Sequence, residues 1–237
     1  MKNYKFILKS LFFPLKKILI IADLHLGHEE AMNKAGIYIP RISFSEIILD
    51  LKRIFSATGK INEIVICGDL KHEFSSISEQ EWRETYKLID FLQENCKKII
   101  LVKGNHDKIL GKLGEKIEIK DYYIKENVVF IHGNLLIPEI LDNKIKLIVM
   151  GHRHPAVVLS DKYKKEKYKC FLTGKWKKKE VIILPSFFPL IEGSDLLEEG
   201  NNLLFIKEKE LRNFEVHAVS DSEVLDFGKL KSIGRLE

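Results

Sequence analysis

The stretch KKILIIAD, residues 16–23, joins two lysines to a run of five apolar residues and ends in an aspartate. A short apolar run without alternating polar residues is typical of a β-strand that is buried on both faces of a sheet. The stretches NEIVICGD (62–69) and KKIILVKGNHD (97–107) repeat this pattern. We therefore predict three buried strands, each ending in a segment that contains an aspartate.

The segments around these strands predict the rest of the fold. Helices are expected at 43–56 and 78–95, and each begins with a Ser-x-x-Glu capping box, at Ser43 and Ser78. After about residue 115 the sequence changes to short strands, expected at 122–125, 128–131, 145–150, 156–159, 168–172, 180–184, 202–207 and 213–218. Alternating strands and helices followed by a strand-rich half indicate two sheets that share one core, with helices outside.

The composition is that of a globular protein. The chain has 237 residues, of which 45% are hydrophobic, and this suffices for a sizeable core. We expect one domain over residues 1–220 and a polar tail at 221–237, with residues 1–17 forming an added strand and turn. The abundance of Lys and Glu and the scarcity of Gln favour a heat-adapted organism.

Charge and cysteine content limit the classes of function. The net charge of +5 permits a polyanionic partner such as nucleic acid without requiring one. Cys67, Cys96 and Cys170 form no CxxC pair, which argues against a disulfide framework and against a thiolate-bound zinc. No apolar run approaches the roughly 20 residues that cross a bilayer, so we expect a cytoplasmic protein with no membrane association.

Most of the eight histidines lie just after a predicted strand, beside Asp, Asn or Gly. The clusters are Asp23-Leu24-His25, Gly68-Asp69, Gly104-Asn105-His106-Asp107, His132-Gly133 and Gly151-His152-Arg153-His154. In sheets with crossover helices the carboxyl ends of the strands meet in one crevice, and alternate residues at a strand end can face the same side. The five clusters are therefore expected to form one site.

So many carboxylate, amide and imidazole groups in one crevice require cations. Oxygen and imidazole ligands without thiolate suit Mn²⁺, Fe or Zn²⁺ better than Ca²⁺, and there are too many of them for one ion. We therefore predict two divalent metal ions, with Mn²⁺ preferred and Fe, Zn²⁺ or Ni²⁺ as alternatives. Two such ions can clamp the attacking and leaving oxygens of a phosphoryl group.

The ordered series D-x-H, GD, GNHD, H and GHxH resembles the calcineurin-like metallophosphoesterase superfamily over about residues 17–155. The resemblance implies an α/β (α+β) fold, a single-domain, four-layer αββα sandwich of two mixed β-sheets flanked by helices. It also implies a ligand set: Asp23, His25 and His154 for one metal, Asn105, His132 and His152 for the other, and Asp69 as the bridge. In this pattern His106 is the general acid that protonates the leaving oxygen, and Asp107 orients its imidazole.

Further stretches resemble one branch of the superfamily. GDLKHEF (68–74) resembles the GDxxH of SbcD-type repair nucleases and lacks the arginine that phosphoprotein phosphatases carry after the bridging aspartate. IADLHLGHEEAMNKAG (21–36) and ILPSFFPLIEG (183–193) resemble archaeal SbcD-related phosphoesterases and bacterial ligase-associated DNA endonucleases. The resemblance implies DNA as the partner and leaves open a helicase or ligase as a protein partner.

Four other residues lie outside the implied ligand set. We expect no metal contact for His28 and His217. His72 is expected either to contact substrate or to support the metal ligands. Arg153 either contacts a substrate phosphate or forms a surface ion pair.

The segment 162–180 interleaves lysines with aromatic residues, among them Tyr163 and Trp176, around a hairpin turn expected at Thr173-Gly174. One interpretation is a cationic hairpin that grips the phosphate backbone and stacks on bases. The other is a pair of exposed strands whose lysines protect a sheet edge from pairing with other chains. We favour edge protection.

These observations support three hypotheses of function. The first is a dinuclear-metal-dependent phosphodiesterase that hydrolyses nucleic acid, a DNA nuclease linked to DNA repair. The second is an enzyme that hydrolyses a small nucleotide or another phosphodiester metabolite. The third, a non-catalytic scaffold, is disfavoured because a pure binding module has no need for an acid at His106. The sequence does not specify an oligomeric state.

Overall fold

In the computed structural model, which describes residues 3–73, 78–160, 164–196 and 205–233, the three predicted buried strands lie side by side. They belong to a first sheet whose strands follow sequence order: β1 Lys5–Ile7, β2 Ser10–Phe13, β3 Ile18–Ile21, β4 Ile61–Cys67, β5 Cys96–Val102 and β6 Glu118–Lys120. Strands β3 to β6 are parallel. Strands β1 and β2 add an antiparallel hairpin, which supplies the strand and turn expected near the amino terminus.

Three helices lie between the strands of the first sheet: α1 His28–Lys34, α2 Ser43–Thr58 and α3 Glu79–Asn95. The apolar faces of α2 and α3 pack on one side of this sheet, where Leu51 and Leu88 share a buried cluster with Ile64 of β4. Both predicted helices are thereby confirmed. None of the helices in the described ranges is both long and apolar enough to cross a membrane.

The amino terminus of α2 is stabilised by Glu29 of α1. The expected capping box at Ser43 is wrong, because Ser43 is itself the first helical residue and its side chain caps nothing. The buried Glu29 carboxylate accepts hydrogen bonds from the backbone N–H groups of Ile42 and Ser43 and from the Ser43 hydroxyl, at 2.8–3.0 Å. A carboxylate at this end satisfies orphan N–H groups and complements the helix dipole.

The second sheet contains β7 Tyr123–Lys125, β8 Val128–Ile131, β9 Leu147–Met150, β10 Pro155–Ser160, β11 Lys165–Trp176, β12 Lys179–Ile183, β13 Ser194–Asp195, β14 Glu215–Val219 and β15 Val224–Lys229. Its order is β13-β10-β11-β12-β9-β8-β7, and β14 pairs with β11 and β15. Strands β8, β9 and β12 are parallel and most other pairs are antiparallel, so the sheet is mixed.

Two parts of this sheet differ from the expectation. Residues 202–204 of the expected strand at 202–207 lie outside the described part of the chain, and residues 205–207 are not in a strand. Strand β15 falls within the stretch expected to be a polar tail, 221–237. It pairs antiparallel with β14, so the described part of that stretch extends the second sheet.

The two sheets pack face to face and confirm the expected αββα architecture. Residues such as Ile20 and Val65 of the first sheet meet Phe130 and Val149 of the second in one buried cluster. The outer face of the second sheet is covered by short elements, namely α4 Glu208–Leu211 and 3₁₀ turns at Pro138–Leu141 and Leu230–Ser232. The fourth layer is therefore made of short helices within the described ranges.

The expected turn at Thr173-Gly174 is wrong, because β11 continues through both residues to Trp176. Gly174 is instead a point of close packing. A Cβ atom at this position would lie 2.2 Å from Cδ1 of Phe214, well inside van der Waals contact. The glycine is required for an aromatic ring to lie on the sheet, and the chain reverses after it, at Lys177, which has φ 54°.

We predict that Gly174→Ala lowers the free energy of unfolding by about 1–3 kcal/mol, because the added methyl group overpacks against the Phe214 ring. Chemical denaturation measures this loss. Gly114→Ala is the matched control, since its Cβ would have one neighbour, at 3.6 Å, an ordinary contact. Equal stability of the two variants would contradict the packing explanation.

Candidate metal centre

Five loops meet at one edge of the two sheets. Each follows the carboxyl end of a strand: β3, β4 and β5 in the first sheet, and β8 and β9 in the second. The loops carry, in that order, Asp23 and His25, Asp69, Asn105 to Asp107, His132, and His152 with His154. Contacts between these side chains cross from one sheet to the other, as in the 3.6 Å from Asp23 Oδ1 to His132 Nδ1. The structure thus brings together the seven residues predicted as ligands.

The first group of donor atoms consists of Asp23, His25 and His154. One atom of each lies within 4.8 Å of the others. His154 Nε2 is 3.4 Å from Asp23 Oδ1 and 3.3 Å from His25 Nε2. Two ring nitrogens at this separation direct lone pairs at one another unless a proton or a cation lies between them. These three residues therefore form a site suited to a cation.

The second group is centred on Nε2 of His132. Three acceptor atoms surround it: Asn105 Oδ1 at 3.1 Å, Asp69 Oδ2 at 3.2 Å and His152 Nδ1 at 3.0 Å. The other ring nitrogen, Nδ1, donates to the carbonyl oxygen of Cys67 at 3.0 Å, which directs Nε2 into the site. A single proton on Nε2 satisfies one of the three acceptors, whereas a divalent cation would be shared by all of them.

Asp69 lies between the two groups. Its Oδ2 atom is 3.2 Å from His132 Nε2 and 3.9 Å from Nε2 of both His25 and His106. Its Oδ1 atom accepts the backbone N–H of His106 at 3.0 Å. This carboxylate is therefore in the place that a bridge between two cations would occupy, and the oxygen and imidazole donors around it suit Mn²⁺, Fe or Zn²⁺.

The backbone of the site is strained. Asp23, His25, Asp69, His152 and His154 all have positive φ values, between 43° and 70°. Non-glycine residues in this region each cost roughly 1 kcal/mol or more, and such strain concentrates at functional sites. Backbone hydrogen bonds between the first two loops help to hold the strained residues, as Asp23 N donates to Gly68 O and His25 N to Asp69 O.

Two glycines let the loops approach one another. A Cβ atom at Gly104 would lie 2.0 Å from Asp69 Oδ1, and one at Gly68 would lie 2.2 Å from His132 Nδ1. Either methyl group would occupy the space of a donor side chain. The glycines of the GD and GNHD clusters are thus needed for the ligands to converge.

The electrostatics of the site favour an ionised Asp69. Burial opposes ionisation of Asp69, but its hydrogen bond and charge interaction with His132 hold its pKa below the usual range. Burial, with help from His154, lowers the pKa of His25 to about 2, so this ring is neutral and able to bind a metal. Burial would lower the pKa of His132 as well, yet Asp69 and Asp23 raise it to about 9. The same two carboxylates would attract a cation.

His106 is positioned by the backbone and not by Asp107. Its Nδ1 atom donates to the carbonyl oxygen of His72, and its Nε2 atom faces Asp69. The buried carboxylate of Asp107 instead accepts the backbone N–H groups of Leu70 and Gly104 at 3.1 and 2.9 Å. Burial raises the pKa of Asp107 to about 6. The implied orienting role of Asp107 is corrected accordingly: it ties the GD loop to the GNHD loop.

The remaining histidines lie in two places, at the site and on β14. The His72 ring stacks on His106 with centroids 5.4 Å apart, and a nitrogen of His72 lies within 4.8 Å of ring nitrogens of His25 and His106. His28 packs on His72 at 4.6 Å and is thus at the rim of the site. His217 lies elsewhere, on β14, with Nε2 2.9 Å from the Thr173 hydroxyl. Arg153 is half-buried between two of the predicted ligands.

Sequence reasoning missed three residues that support the site. Ser186 donates its hydroxyl to the carbonyl oxygen of Asp23 at 2.9 Å, and Lys71 and Glu81 are buried charges beneath the loops. Lys71 lies inside the GDLKHEF stretch, and Glu81 is the acidic position of the capping box expected at Ser78. Because its position in the sequence predicts a helix start, the sequence does not indicate that Glu81 also contacts the backbone of His72 and Glu73.

The segment 162–180 fits neither of its two interpretations well. Tyr163 lies outside the described residues, while Phe171 and Trp176 are buried in the cores and present no surface for stacking bases. Strand β11 pairs with β10, β12 and β14, so it is an interior strand and not a protected edge. Lys179 donates to the carbonyl oxygens of Asp142 and Ile145, which gives this lysine a structural role.

Comparison with a solved nuclease structure supports the fold. The structure of Pseudomonas putida nuclease MPE matches with a TM-score of 0.63 at 18% identity, covering 92% of each chain. Zinc-bound Vps29 from Entamoeba histolytica matches with a TM-score of 0.39 at 17% identity, over 89% of this chain and 99% of that one. A protein of unknown function from Aquifex aeolicus has a TM-score of 0.40 at 22% identity, over 58% and 78% of the two chains.

Sequence comparison shows the family. No curated protein matches the chain significantly. The model of the family described as calcineurin-like phosphoesterase matches residues 16–219, which include every cluster of the site. With the candidate metal-ligand groups of the site, this match means that the chain belongs to the calcineurin-like phosphoesterase family and is a metal-dependent phosphoester hydrolase.

Proposed function

We propose that the protein is a phosphodiesterase that uses two divalent metal ions to hydrolyse nucleic acid, with DNA as the substrate and Mn²⁺ as the preferred metal. The observation that carries the proposal is the position of Asp69. Its Oδ2 atom lies within 3.9 Å of a histidine from each donor group and of His106, the candidate acid. One carboxylate thus lies beside both proposed metal positions and beside the group that would protonate the leaving oxygen.

The predicted ligands form two metal positions. Asp23, His25 and His154 would hold one ion, Asn105, His132 and His152 the other, and Asp69 both. When bound, two such ions neutralise charge on the phosphoryl oxygens and make a water molecule nucleophilic. The protein contributes the loops that place the donors, and hydrogen bonds between the first two loops hold their strained backbone.

His106 is suited to act as the general acid. The carbonyl oxygen of His72 accepts from Nδ1, so Nδ1 keeps its proton and Nε2 is the atom that can deliver one to a leaving oxygen. The same hydrogen bond sets the direction of the ring. The His106 side chain is 14% exposed, which leaves its edge accessible from solvent.

Three observations support a polymeric, anionic substrate. The chain carries a net charge of +5. His152, one of the predicted ligands, is exposed, so the metal edge is open to a large substrate. Arg153 and His72 flank this edge and are proposed to contact phosphates of the substrate. The nuclease among the structural neighbours shares the fold. A role in DNA repair, with a helicase or ligase partner, is proposed from the sequence resemblance alone.

We predict that His106→Ala lowers kcat for DNA cleavage about 10²- to 10⁴-fold, because an alkoxide that is not protonated is a poor leaving group. Asp69→Asn should remove most turnover as well, since it removes the charge shared by both metal positions. Steady-state cleavage with added Mn²⁺ measures both effects, and circular dichroism monitors folding. His217→Gln, which changes a histidine on β14 outside the site, is the control. Turnover near the wild-type value in both site variants would contradict the assignment.

The substrate class is tested with plasmid DNA, a single-stranded oligonucleotide and a small chromogenic phosphodiester, each with Mn²⁺ and with EDTA. We expect cleavage of the DNA substrates that EDTA abolishes and a steep loss of DNA binding as salt is added. Arg153→Gln should raise KM for DNA more than for the small diester. Arg53→Gln, on the exposed surface of α2, is the matched control. Efficient cleavage of the small diester alone would favour a small phosphodiester metabolite.

A further inference from the structure

We propose that Glu81 is a positioning residue for the general acid His106, acting through the backbone of His72. The inference rests on the proposed function, because it needs His106 to donate a proton. Glu81 lies in the first turn of α3 and is fully buried, yet it contacts none of the predicted metal ligands through a hydrogen bond in the described chain. Its contacts are with the loop that follows the bridging Asp69.

The carboxylate of Glu81 holds the backbone of this loop. Oε1 accepts the N–H groups of His72 at 2.8 Å and Glu73 at 3.1 Å. Hydrogen bonds to a charged acceptor are stronger than those between neutral groups. The peptide N–H of Glu81 itself donates to the Ser78 hydroxyl at 3.1 Å, which fixes the start of α3 beneath the loop. The position of His72 is therefore determined by a helix outside the site.

The backbone of His72 in turn positions the proposed acid, His106. Its carbonyl oxygen accepts from Nδ1 of His106, so the placement of the His72 peptide sets the direction of the ring. A shift of the loop would turn Nε2 away from the leaving oxygen or weaken the hydrogen bond that holds the ring in place. The chain of contacts runs from the Glu81 carboxylate through one residue of backbone to the imidazole.

Lys71 connects the same two loops from a second point. This lysine is 1% exposed, and its Nζ donates to the carbonyl oxygen of His106 at 2.7 Å and to that of Glu73. The charges of Glu81 and Asp107 interact favourably with its ammonium group. The backbone of His106 and its ring are thus held separately, by Lys71 and by the carbonyl oxygen that Glu81 places.

The packing leaves Glu81 little freedom. A Cβ atom at Gly27, in the loop after His25, would lie 2.8 Å from Cγ of Glu81, and Gly27 has φ 88°. Within the described chain, Oε2 of Glu81 is buried without a hydrogen-bond partner. Burying a half-satisfied carboxylate is unfavourable. This cost is consistent with a role that needs the other oxygen at the His72 peptide.

The test compares two phosphodiesters that differ in the need for an acid. A nitrophenyl diester releases a stabilised phenolate, whereas a dinucleotide releases an alkoxide that must be protonated. We expect Glu81→Ala to lower kcat on the dinucleotide about 10- to 100-fold, as for other residues that orient catalytic groups, and to lower kcat on the nitrophenyl diester far less. KM should change little for either substrate, and His106→Ala should show the same dependence on the leaving group, more strongly.

Three further variants separate positioning from structural damage. Glu81→Gln keeps an oxygen for the two N–H groups and should restore most of the lost kcat. Lys71→Met removes the second connection and should give the same leaving-group dependence. Glu79→Ala, an exposed acid in the same helical turn, should behave as the wild type. Thermal melting and the Mn²⁺ affinity measured by calorimetry should be similar in Glu81→Gln and the wild type.

The outcomes distinguish this inference from the proposed function. If the wild type cleaves both diesters and His106→Ala shows the leaving-group dependence, but Glu81→Ala and Lys71→Met lower both rates equally or leave them unchanged, the positioning role is wrong while the proposed function stands. If the wild type cleaves neither diester with Mn²⁺, the proposed function and this inference are both wrong.

Discussion

The carboxylate of Asp69, which lies between the two donor groups, makes the contacts on which the rest of the site depends. It lies at the end of a central strand of the first sheet and reaches His132, which comes from the second sheet. The face-to-face packing of the sheets places these two loops opposite one another, and His132 then gathers Asn105 and His152 around its Nε2 atom. The core between the sheets is therefore what allows ligands from distant parts of the chain to meet.

Bringing these groups together is unfavourable in itself, and the local backbone both adds to this cost and limits it. Residues such as Asp23 and Asp69 adopt a backbone conformation that is rare for non-glycine residues. Glycines at positions 68 and 104 remove the side chains that would collide with the donors. The remaining charge repulsion and lone-pair contacts are relieved most simply by cations, which is the physical basis for a metal-dependent hydrolase.

The sequence was sufficient for features that depend on local patterns. Apolar runs predict β3, β4 and β5, and the clusters after them predict the donor residues that meet at the edge of the sheets. It was insufficient where a contact depends on residues far apart in the chain. The capping of α2 by Glu29 and the packing of Gly174 on Phe214 are of this kind. The orientation of His106 by a carbonyl oxygen has no side-chain signature, so the sequence resemblance pointed to Asp107 instead.

The most direct test of the central claim is an anomalous difference map from crystals grown with Mn²⁺. The account predicts two manganese peaks on either side of the Asp69 carboxylate, one beside His25 and His154 and the other beside His132 and His152. A single peak, or a pair of peaks that does not include Asp69 as a common ligand, would contradict it.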